Sequence, residues 1–269
     1  PLLLWGAASG AGSFEYCVDA TDDGACDGLW VSAGTGTSGQ LTGLAYETTY
    51  FWQARAVNSF GTTYANGGAW WSFTTKATPA VREMSFRSVA GYDGWVLERA
   101  DDSGKGSTTV AAAVTARVGD DEADRQYRSV LHFNTSALPD DAVVVGITIG
   151  IKQESFTGTS PLLTHGKLKV DVKAGAFHND ADLERFDFHA VGSRGSVGRF
   201  LKAAVDGWYR APLRAVAYPL VNLTGVTQFR LRFALDDDDD QVADCLSFWA
   251  GDAPVESDRP ELIISYWVP

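Results

Sequence analysis

Five consecutive aspartates, residues 236–240, are the stretch of this sequence with the clearest chemical potential. Adjacent carboxylates repel one another, so such a loop either extends into solvent or folds around a cation. Hard divalent cations prefer oxygen ligands, and Ca²⁺ takes about six to eight of them. A second acidic run, residues 120–122, offers further oxygens if the fold brings the two runs together. The candidate calcium ligands are therefore Asp120, Asp121, Asp236, Asp237, Asp238, Asp239 and Asp240. The alternative is a solvated acidic turn.

Strand-like segments lie on both sides of the acidic loop. Before it, Phe229, Leu231 and Phe233 alternate with arginines, which is the period-2 pattern of a strand that buries one face. After it, residues 245–249 have the pattern of a second short strand. We therefore expect two paired strands that hold the loop between them.

The sequence has three cysteines, and their spacing suggests one disulfide. Cys17 and Cys26 bracket an acidic, glycine-containing loop between two strand-like segments. A bridge between them would indicate an oxidising, extracytoplasmic location, whereas two free thiols would fit a cytosolic protein. Cys245 lies within a strand pattern and is expected to be a small buried residue.

Composition favours an all-β protein. The 269 residues include 28 glycines and 12% aromatic residues, and no segment shows a sustained helical period. The net charge of −12 disfavours nucleic acid as a partner. No run approaches the ~18 apolar residues that span a bilayer, so we expect no membrane-spanning segment.

Residues 1–76 carry the motif L-x-x-x-T-x-Y-x-W-x-A-x-A, which runs from Leu44 to Ala56. A tyrosine at the position of Tyr50 can hydrogen-bond back to upstream backbone, as in β-sandwiches of the immunoglobulin class. This segment resembles a fibronectin type III module. The resemblance implies that Trp5 is the core tryptophan of the module's second strand.

The resemblance leaves one strand of the module unaccounted for. In that fold a whole strand precedes the one with the core tryptophan, and here only four residues precede Trp5. We therefore expect an immunoglobulin-like sandwich without its first strand and with an open edge at Leu2, Leu3, Leu4 and Trp5. Either the strand was removed, or another chain supplies it.

Residues 77–84 have the composition of a short linker, and residues 85–269 form a second predicted domain. Its patterns are R-S-V-L-x-F-x-T-S-x-L-P-x-x-A-V at 128–143, N-L-T-G at 222–225 and R-P-E-L-I-I-S-Y at 259–266. They resemble the disaggregatase-related jelly-roll family, which is grouped with carbohydrate-binding modules of secreted prokaryotic proteins. The resemblance implies a double-sheet jelly roll, often stabilised by calcium and non-catalytic. Some relatives bind acidic polysaccharide through basic residues.

The aromatic and histidine side chains could bind a ligand, but each also has an ordinary structural role. Aromatic side chains can stack on sugar rings, although core packing is the commoner use of each. The candidates are Tyr92, Trp95, Trp208, Tyr209 and Trp249. The four histidines are scattered, without a metal-binding or catalytic spacing, and are expected to be satisfied or exposed rather than ligands.

Three hypotheses follow from these patterns. The first is a secreted or cell-surface pair of structural modules used for adhesion. It would assemble with itself or with neighbouring domains, and strand complementation between copies would build a filament. The second is a carbohydrate-binding appendage of a larger polysaccharide-active protein. The third is an enzyme, which the absence of a catalytic constellation disfavours. The sequence therefore predicts a protein that is not an enzyme.

Overall fold

The computed structural model describes all residues from Pro1 to Pro269. They form two compact units, Pro1–Pro79 and Ala80–Pro269. Nearly all of their regular secondary structure is β-strand, which confirms the all-β prediction. The division falls inside the predicted linker 77–84, but residues 82–84 of that linker belong to a strand. Met84 packs on the core of the second unit, which explains why the chain is already ordered there.

The first unit has two antiparallel sheets. Its strands are β1 (Leu2–Leu4), β2 (Ser13–Asp19), β3 (Val31–Gly34), β4 (Ser38–Gln40), β5 (Thr49–Asn58), β6 (Gly61–Tyr64) and β7 (Trp71–Thr74). β1 pairs with β4 in a two-stranded sheet. In the five-stranded sheet β2 lies between β3 and β5, while β6 and β7 pair with successive halves of β5.

Aromatic packing joins the two sheets of the first unit. The Trp5 ring lies 6.5 Å from that of Phe14 and 5.7 Å from that of Tyr16. At Gly39 of β4 a Cβ would come within 2.7 Å of the Tyr16 ring, so only glycine permits this approach. The Ala45 N–H donates to the Tyr50 hydroxyl at 3.0 Å, which confirms the predicted hydrogen bond to upstream backbone.

Cys17 and Cys26 form a disulfide with their Cα atoms 6.1 Å apart. It closes the turn that follows β2, where Asp19 accepts hydrogen bonds from the Thr21 and Asp27 N–H groups. Cys245 is free and buried, as the sequence predicts, and burial raises the pKa of its thiol to about 12.

The second unit is a single curled sheet of 12 strands. The strands are β8 (Arg82–Arg87), β9 (Gly94–Glu98), β10 (Gly106–Val110), β11 (Thr115–Gly119), β12 (Tyr127–Asn134), β13 (Val143–Thr157), β14 (Lys169–Ala174), β15 (Arg194–Arg199), β16 (Trp208–Pro212), β17 (Val226–Arg232), β18 (Cys245–Trp249) and β19 (Glu261–Trp267). The main path is β15-β14-β17-β12-β11-β18-β13-β19-β8, while β9 pairs with β10 and β12, and β16 pairs with β13.

One continuous core explains the curl. Alternate residues of β12, β13, β17 and β19 point inward and bury apolar side chains in the same cluster. The connections are short 3₁₀ turns and one α-helical turn, α1 (Pro161–Thr164). No helix is long and apolar enough to cross a membrane.

The predicted pairing across the acidic loop is wrong. β17 pairs with β12 and β14, whereas β18 pairs with β11 and β13. The loop therefore spans the two strands, β12 and β11, that separate β17 from β18, and does not close a hairpin.

Residues 177–190, which we call the covering segment, lie on the outer face of β9, β12 and β17. Phe177 and Phe188 of this segment pack on Val96 and Val130 in a small second core. Beside them, Arg230 donates to Asp171 at 2.9 Å and to the carbonyls of Asp187 and Ala190, both at 2.8 Å. The segment is thus held by apolar packing and by one buried guanidinium.

Candidate cation site and binding surfaces

The cation site begins with two aspartates that flank a strand pair. Asp120 follows β11 and Asp244 precedes β18, and the pairing of Gly119 with Cys245 places the two side by side. The Asp244 N–H donates to Asp120 Oδ1 at 2.7 Å. Gly119 has φ +127, and a Cβ there would lie 2.0 Å from the Asp244 carbonyl oxygen. The backbone thus approaches so closely that both carboxylates are fixed and buried.

His165 is brought to these aspartates by α1. It is fully buried, and its Nε2 lies 3.3 Å from Asp120 Oδ2. Its Nδ1 lies 2.7 Å from the Thr164 hydroxyl, which also lies 3.2 Å from Asp244 Oδ2 and donates to it. Burial by itself lowers the pKa of His165, but Asp120 outweighs this effect and the pKa is raised.

Asp238 reaches the same place from the acidic loop. Ligand atoms of His165, Asp238 and Asp244 lie within 4.8 Å of one another. Three buried atoms at this point have no hydrogen-bond partner: Asp120 Oδ2, His165 Nε2 and Asp238 Oδ1. Burial and the nearby Asp240 raise the pKa of Asp238. Asp238 itself is partly exposed, whereas the other three residues are buried. We call Asp120, His165, Asp238 and Asp244 the buried quartet, after its three buried members.

The seven carboxylates predicted as one calcium shell do not come together. Asp237 and Asp239 point the other way from Asp238 and approach Asp101 in a more exposed triad. Burial and the adjacent Asp236 raise the pKa of Asp237 to about 6. Asp236 and Asp240 belong to neither group, and Asp240 accepts the Val242 N–H at 2.7 Å.

Asp121 is also outside the site, although Asp120 is in it. Its carboxylate accepts hydrogen bonds from the Arg125 guanidinium, which lowers the pKa of Asp121 despite its partial burial. Neighbouring residues of an extended segment point to opposite sides, so the run 120–122 contributes one inward carboxylate only.

The donor chemistry of the two groups differs. The triad Asp101–Asp237–Asp239 offers only oxygens, as calcium prefers, so the calcium expectation stays a prediction for that part of the loop. The buried quartet includes an imidazole nitrogen, which sequence reasoning missed. His165 lies in no metal-binding motif, and the sequence signal available was its place beside Thr164 in a short connection.

The five candidate aromatic residues do not form one platform. Tyr209 is buried in the core and cannot meet a sugar, because the side chains of Tyr209 and Ala211 face inward from β16. Trp95 packs on the core and meets the Tyr127 ring edge-on at 5.2 Å. Trp249 is half-buried on β18. Tyr92 is partly exposed and stacks on His132 at 4.9 Å.

Trp208 lies on the outer face of the sheet, beside basic residues. A Cβ at Gly150 would come within 3.1 Å of its indole, so the ring lies against the bare backbone of β13. The guanidinium carbons of Arg87 and Arg210 lie 5.9 Å and 5.2 Å from the ring centroid. Both arginines pair with Glu261. Lys152 is the strand neighbour of Trp208 on this face.

The predicted strand-exchange edge lies along β1. The Leu41 N–H donates to the Pro1 carbonyl, and the Trp5 N–H donates to the Thr37 carbonyl. Alternate residues of the segment 1–5 therefore bond to the segment 37–41, which contains β4. The N–H and C=O groups of Leu2 and Leu4 therefore point to the unpaired side. Leu3 is buried, whereas Leu2 and Leu4 are 55% and 65% exposed.

An unfilled space adjoins this edge in the first unit. A cavity of about 130 Å³ lies beside Trp5 and is lined by Phe14, Ala54, Ala56 and Tyr64 among others. The Trp5 indole N–H is buried without a partner. The sandwich is thus incompletely filled where β1 ends.

No protein-family model matches this chain, and no curated protein matches it. Among solved structures, 90% of the chain aligns with 20% of the Streptomyces avermitilis alpha-L-rhamnosidase complexed with L-rhamnose, at 14% identity and a TM-score of 0.19. The whole chain aligns with 60% of a chain from the infectious bursal disease virus Gx strain, at 10% identity and a TM-score of 0.23. The chain thus spans less than two thirds of either protein. Neither similarity is close enough to bear on fold or function.

Proposed function

We propose that this chain is a non-catalytic structural pair of modules from a secreted or cell-surface protein, and that its first unit joins a neighbour by β-strand addition. The observation that carries the proposal is the open edge of β1 next to an unfilled cavity. An added strand would bond to the N–H and C=O groups of Leu2 and Leu4. Its inward side chains would enter the cavity beside Trp5.

The mode of joining has a consequence for assembly. A strand donated by one copy to the next is a head-to-tail contact, which does not close on itself and extends into a filament. The Cys17–Cys26 disulfide supports an extracytoplasmic setting, because such bonds persist in oxidising compartments.

Lysines at the open edge are expected to block the joining of copies. The variant with both Leu2→Lys and Leu4→Lys places charge where a strand must dock, as natural edge strands do to avoid pairing. Sedimentation of the untagged chain should show mass that rises with concentration, and the variant should sediment as a monomer. Leu29→Lys is the matched control, since Leu29 is exposed in the same unit but lies outside β1. A wild-type monomer at every concentration would contradict the proposal.

A second candidate function is carbohydrate binding at the Trp208 face. The observation that favours it is the partly exposed indole of Trp208, which is supported by Gly150 and flanked by Arg87 and Arg210. Such a surface suits a sugar that carries a carboxylate, because the indole packs against the sugar and the sugar acid competes with Glu261 for a guanidinium.

Trp208→Ala is expected to weaken binding of an acidic oligosaccharide roughly tenfold, or about 1.4 kcal/mol. A glycan array would choose the ligand, and titration calorimetry would measure both proteins. Tyr92→Ala is the control, because Tyr92 is a partly exposed aromatic residue that stacks on His132. If no glycan is retained at millimolar concentration, the carbohydrate hypothesis fails and the structural one is unaffected.

A further inference from the structure

We propose that the buried quartet Asp120, His165, Asp238 and Asp244 binds one divalent cation of the class that accepts imidazole ligands, of which Zn²⁺ is the representative. The site is separate from the open edge of β1, so it holds whether or not the chain assembles. Four segments of the second unit meet in it: the ends of β11 and α1, the acidic loop, and the start of β18.

Unpartnered buried atoms are the main support for a bound cation. Asp120 and His165 are both fully buried, yet Asp120 Oδ2 and His165 Nε2 face each other without a proper hydrogen bond. Asp238 Oδ1 is a third such atom. Buried polar atoms are nearly always paired with protein, ordered water or an ion. Three unpartnered atoms at one point, on side chains that can all bind metal, favour an ion as the missing partner.

The hydrogen bonds behind His165 fix its tautomer. The Thr164 hydroxyl has a single proton, which it donates to Asp244 Oδ2 at 3.2 Å. The same hydroxyl can then only accept from His165, which places the imidazole proton on Nδ1. In the neutral imidazole the lone pair is then on Nε2, which lies 3.3 Å from Asp120 Oδ2. A backing hydrogen bond on the far ring nitrogen is typical of metal-bound histidine.

The donor set separates zinc-class ions from calcium. Zn²⁺ is bound by about four ligands drawn from histidine, cysteine and carboxylate, at roughly 2.0–2.2 Å for nitrogen and oxygen. The quartet supplies one nitrogen and three carboxylates. Calcium requires about six to eight oxygens, and imidazole suits the later transition metals better. Ligand atoms of His165, Asp238 and Asp244 lie within 4.8 Å of one another, and Asp120 Oδ2 lies 3.3 Å from His165 Nε2, so closure around a small ion is compatible with the geometry.

Measurements of bound metal, melting temperature and amide hydrogen exchange test the proposal directly. The untagged full chain is stripped with a chelator and titrated separately with Zn²⁺ and Ca²⁺. We expect one zinc ion per chain, a rise in melting temperature with zinc, and slower amide hydrogen exchange in residues 158–165 and 236–245. Asp238→Asn should weaken zinc binding by roughly 100-fold, and Thr164→Val by about 10–100-fold, as for other residues that orient a ligand.

Asp239→Asn is the matched control for the loop. It removes a carboxylate one residue away, in the exposed triad, and should leave zinc affinity unchanged. Asp238→Asn changes a loop residue without altering the β11–β18 pairing, so its folding can be verified by the unchanged hydrogen exchange of the strands. His165→Gln tests the imidazole itself.

Three results would overturn the proposal. The first is an absence of bound zinc together with identical melts in zinc and in chelator. The second is zinc binding that Asp239→Asn abolishes and Asp238→Asn does not. The third is a His165 ring that stays protonated at Nε2 in excess zinc, as read from its nitrogen chemical shifts. The Nε2 proton would then bridge to Asp120 Oδ2, and no metal would be bound there.

Discussion

Asp171→Ala is expected to lower the free energy of unfolding of the second unit by about 3–5 kcal/mol, the loss that follows when one partner of a buried ion pair is removed. Asp171 is buried on β14, and its Oδ2 accepts from Arg230 at 2.9 Å and from Arg232 at 2.9 Å. Its Oδ1 accepts the Ser196 N–H at 2.8 Å. Burial raises the pKa of Asp171, but Arg232 and the other donors outweigh this effect and hold it below the usual value.

The loss is large because Arg230 cannot escape to water. It lies under the covering segment that contains Phe177 and Phe188, and burial already lowers its pKa. Without Asp171 its charge is compensated only by backbone carbonyls of Asp187, Phe188 and Ala190. The covering segment is therefore expected to open before the rest of the unit.

Urea denaturation followed by amide hydrogen exchange measures this effect. Peptides from β14, β17 and residues 177–190 should lose protection in Asp171→Ala. Asp258→Ala is the control, since its pair with Lys152 at 2.6 Å is partly exposed and such pairs contribute about 0–1 kcal/mol. Equal effects of the two substitutions would contradict the argument. A double variant, Asp171→Leu with Arg230→Met, should recover part of the loss because the unpaired Arg230 charge is removed, while the side chain of Arg232 is partly exposed to water.

A pH dependence is expected from Asp93, which is fully buried in the turn before β9. Its Oδ2 accepts the Gly251 N–H at 2.7 Å, and its Oδ1 has no partner. Burial raises the pKa of Asp93 from 3.8 to about 7, and Asp252 adds to the rise. Between pH 3.8 and about 7, the folded state thus keeps a proton on Asp93 that the unfolded chain has released.

The sign of the effect follows from that difference. Stability due to the protonated carboxyl is fully present below pH 3.8 and is lost as the pH rises through about 7. A shift of about three units corresponds to about 4 kcal/mol at high pH. The second unit should therefore be less stable at pH 8.5 than at pH 5.

Asp93→Asn isolates this contribution. Asparagine keeps an oxygen for the Gly251 N–H and carries no charge, so the variant should be the more stable protein at pH 8.5, while the two should converge near pH 4. Asp187 also titrates in this range, with its pKa raised by burial to about 6, and it is present in both proteins. Asp252→Asn is the control for charge alone. If wild type and Asp93→Asn change in parallel with pH, Asp93 is not the source.

The sequence by itself determined the local features of this protein. Alternating apolar residues predict strands such as β17 and β19, and the spacing of the two cysteines predicts the bond between Cys17 and Cys26. The Tyr50 motif predicts its hydrogen bond with Ala45. These features depend on short stretches of chain, where side-chain period and turn chemistry decide the conformation.

Only the tertiary structure decided which acidic residues meet. Asp120 and Asp244 are neighbours because β11 pairs with β18, more than 100 residues later in the chain. His165 reaches them through α1, and Asp238 through a loop that crosses the curled sheet. Asp121 turns to Arg125 instead, because adjacent residues in extended backbone face opposite ways. Strand pairing over such separations is set by the packing of the whole core, so no metal-binding motif in the sequence marks the imidazole of the quartet.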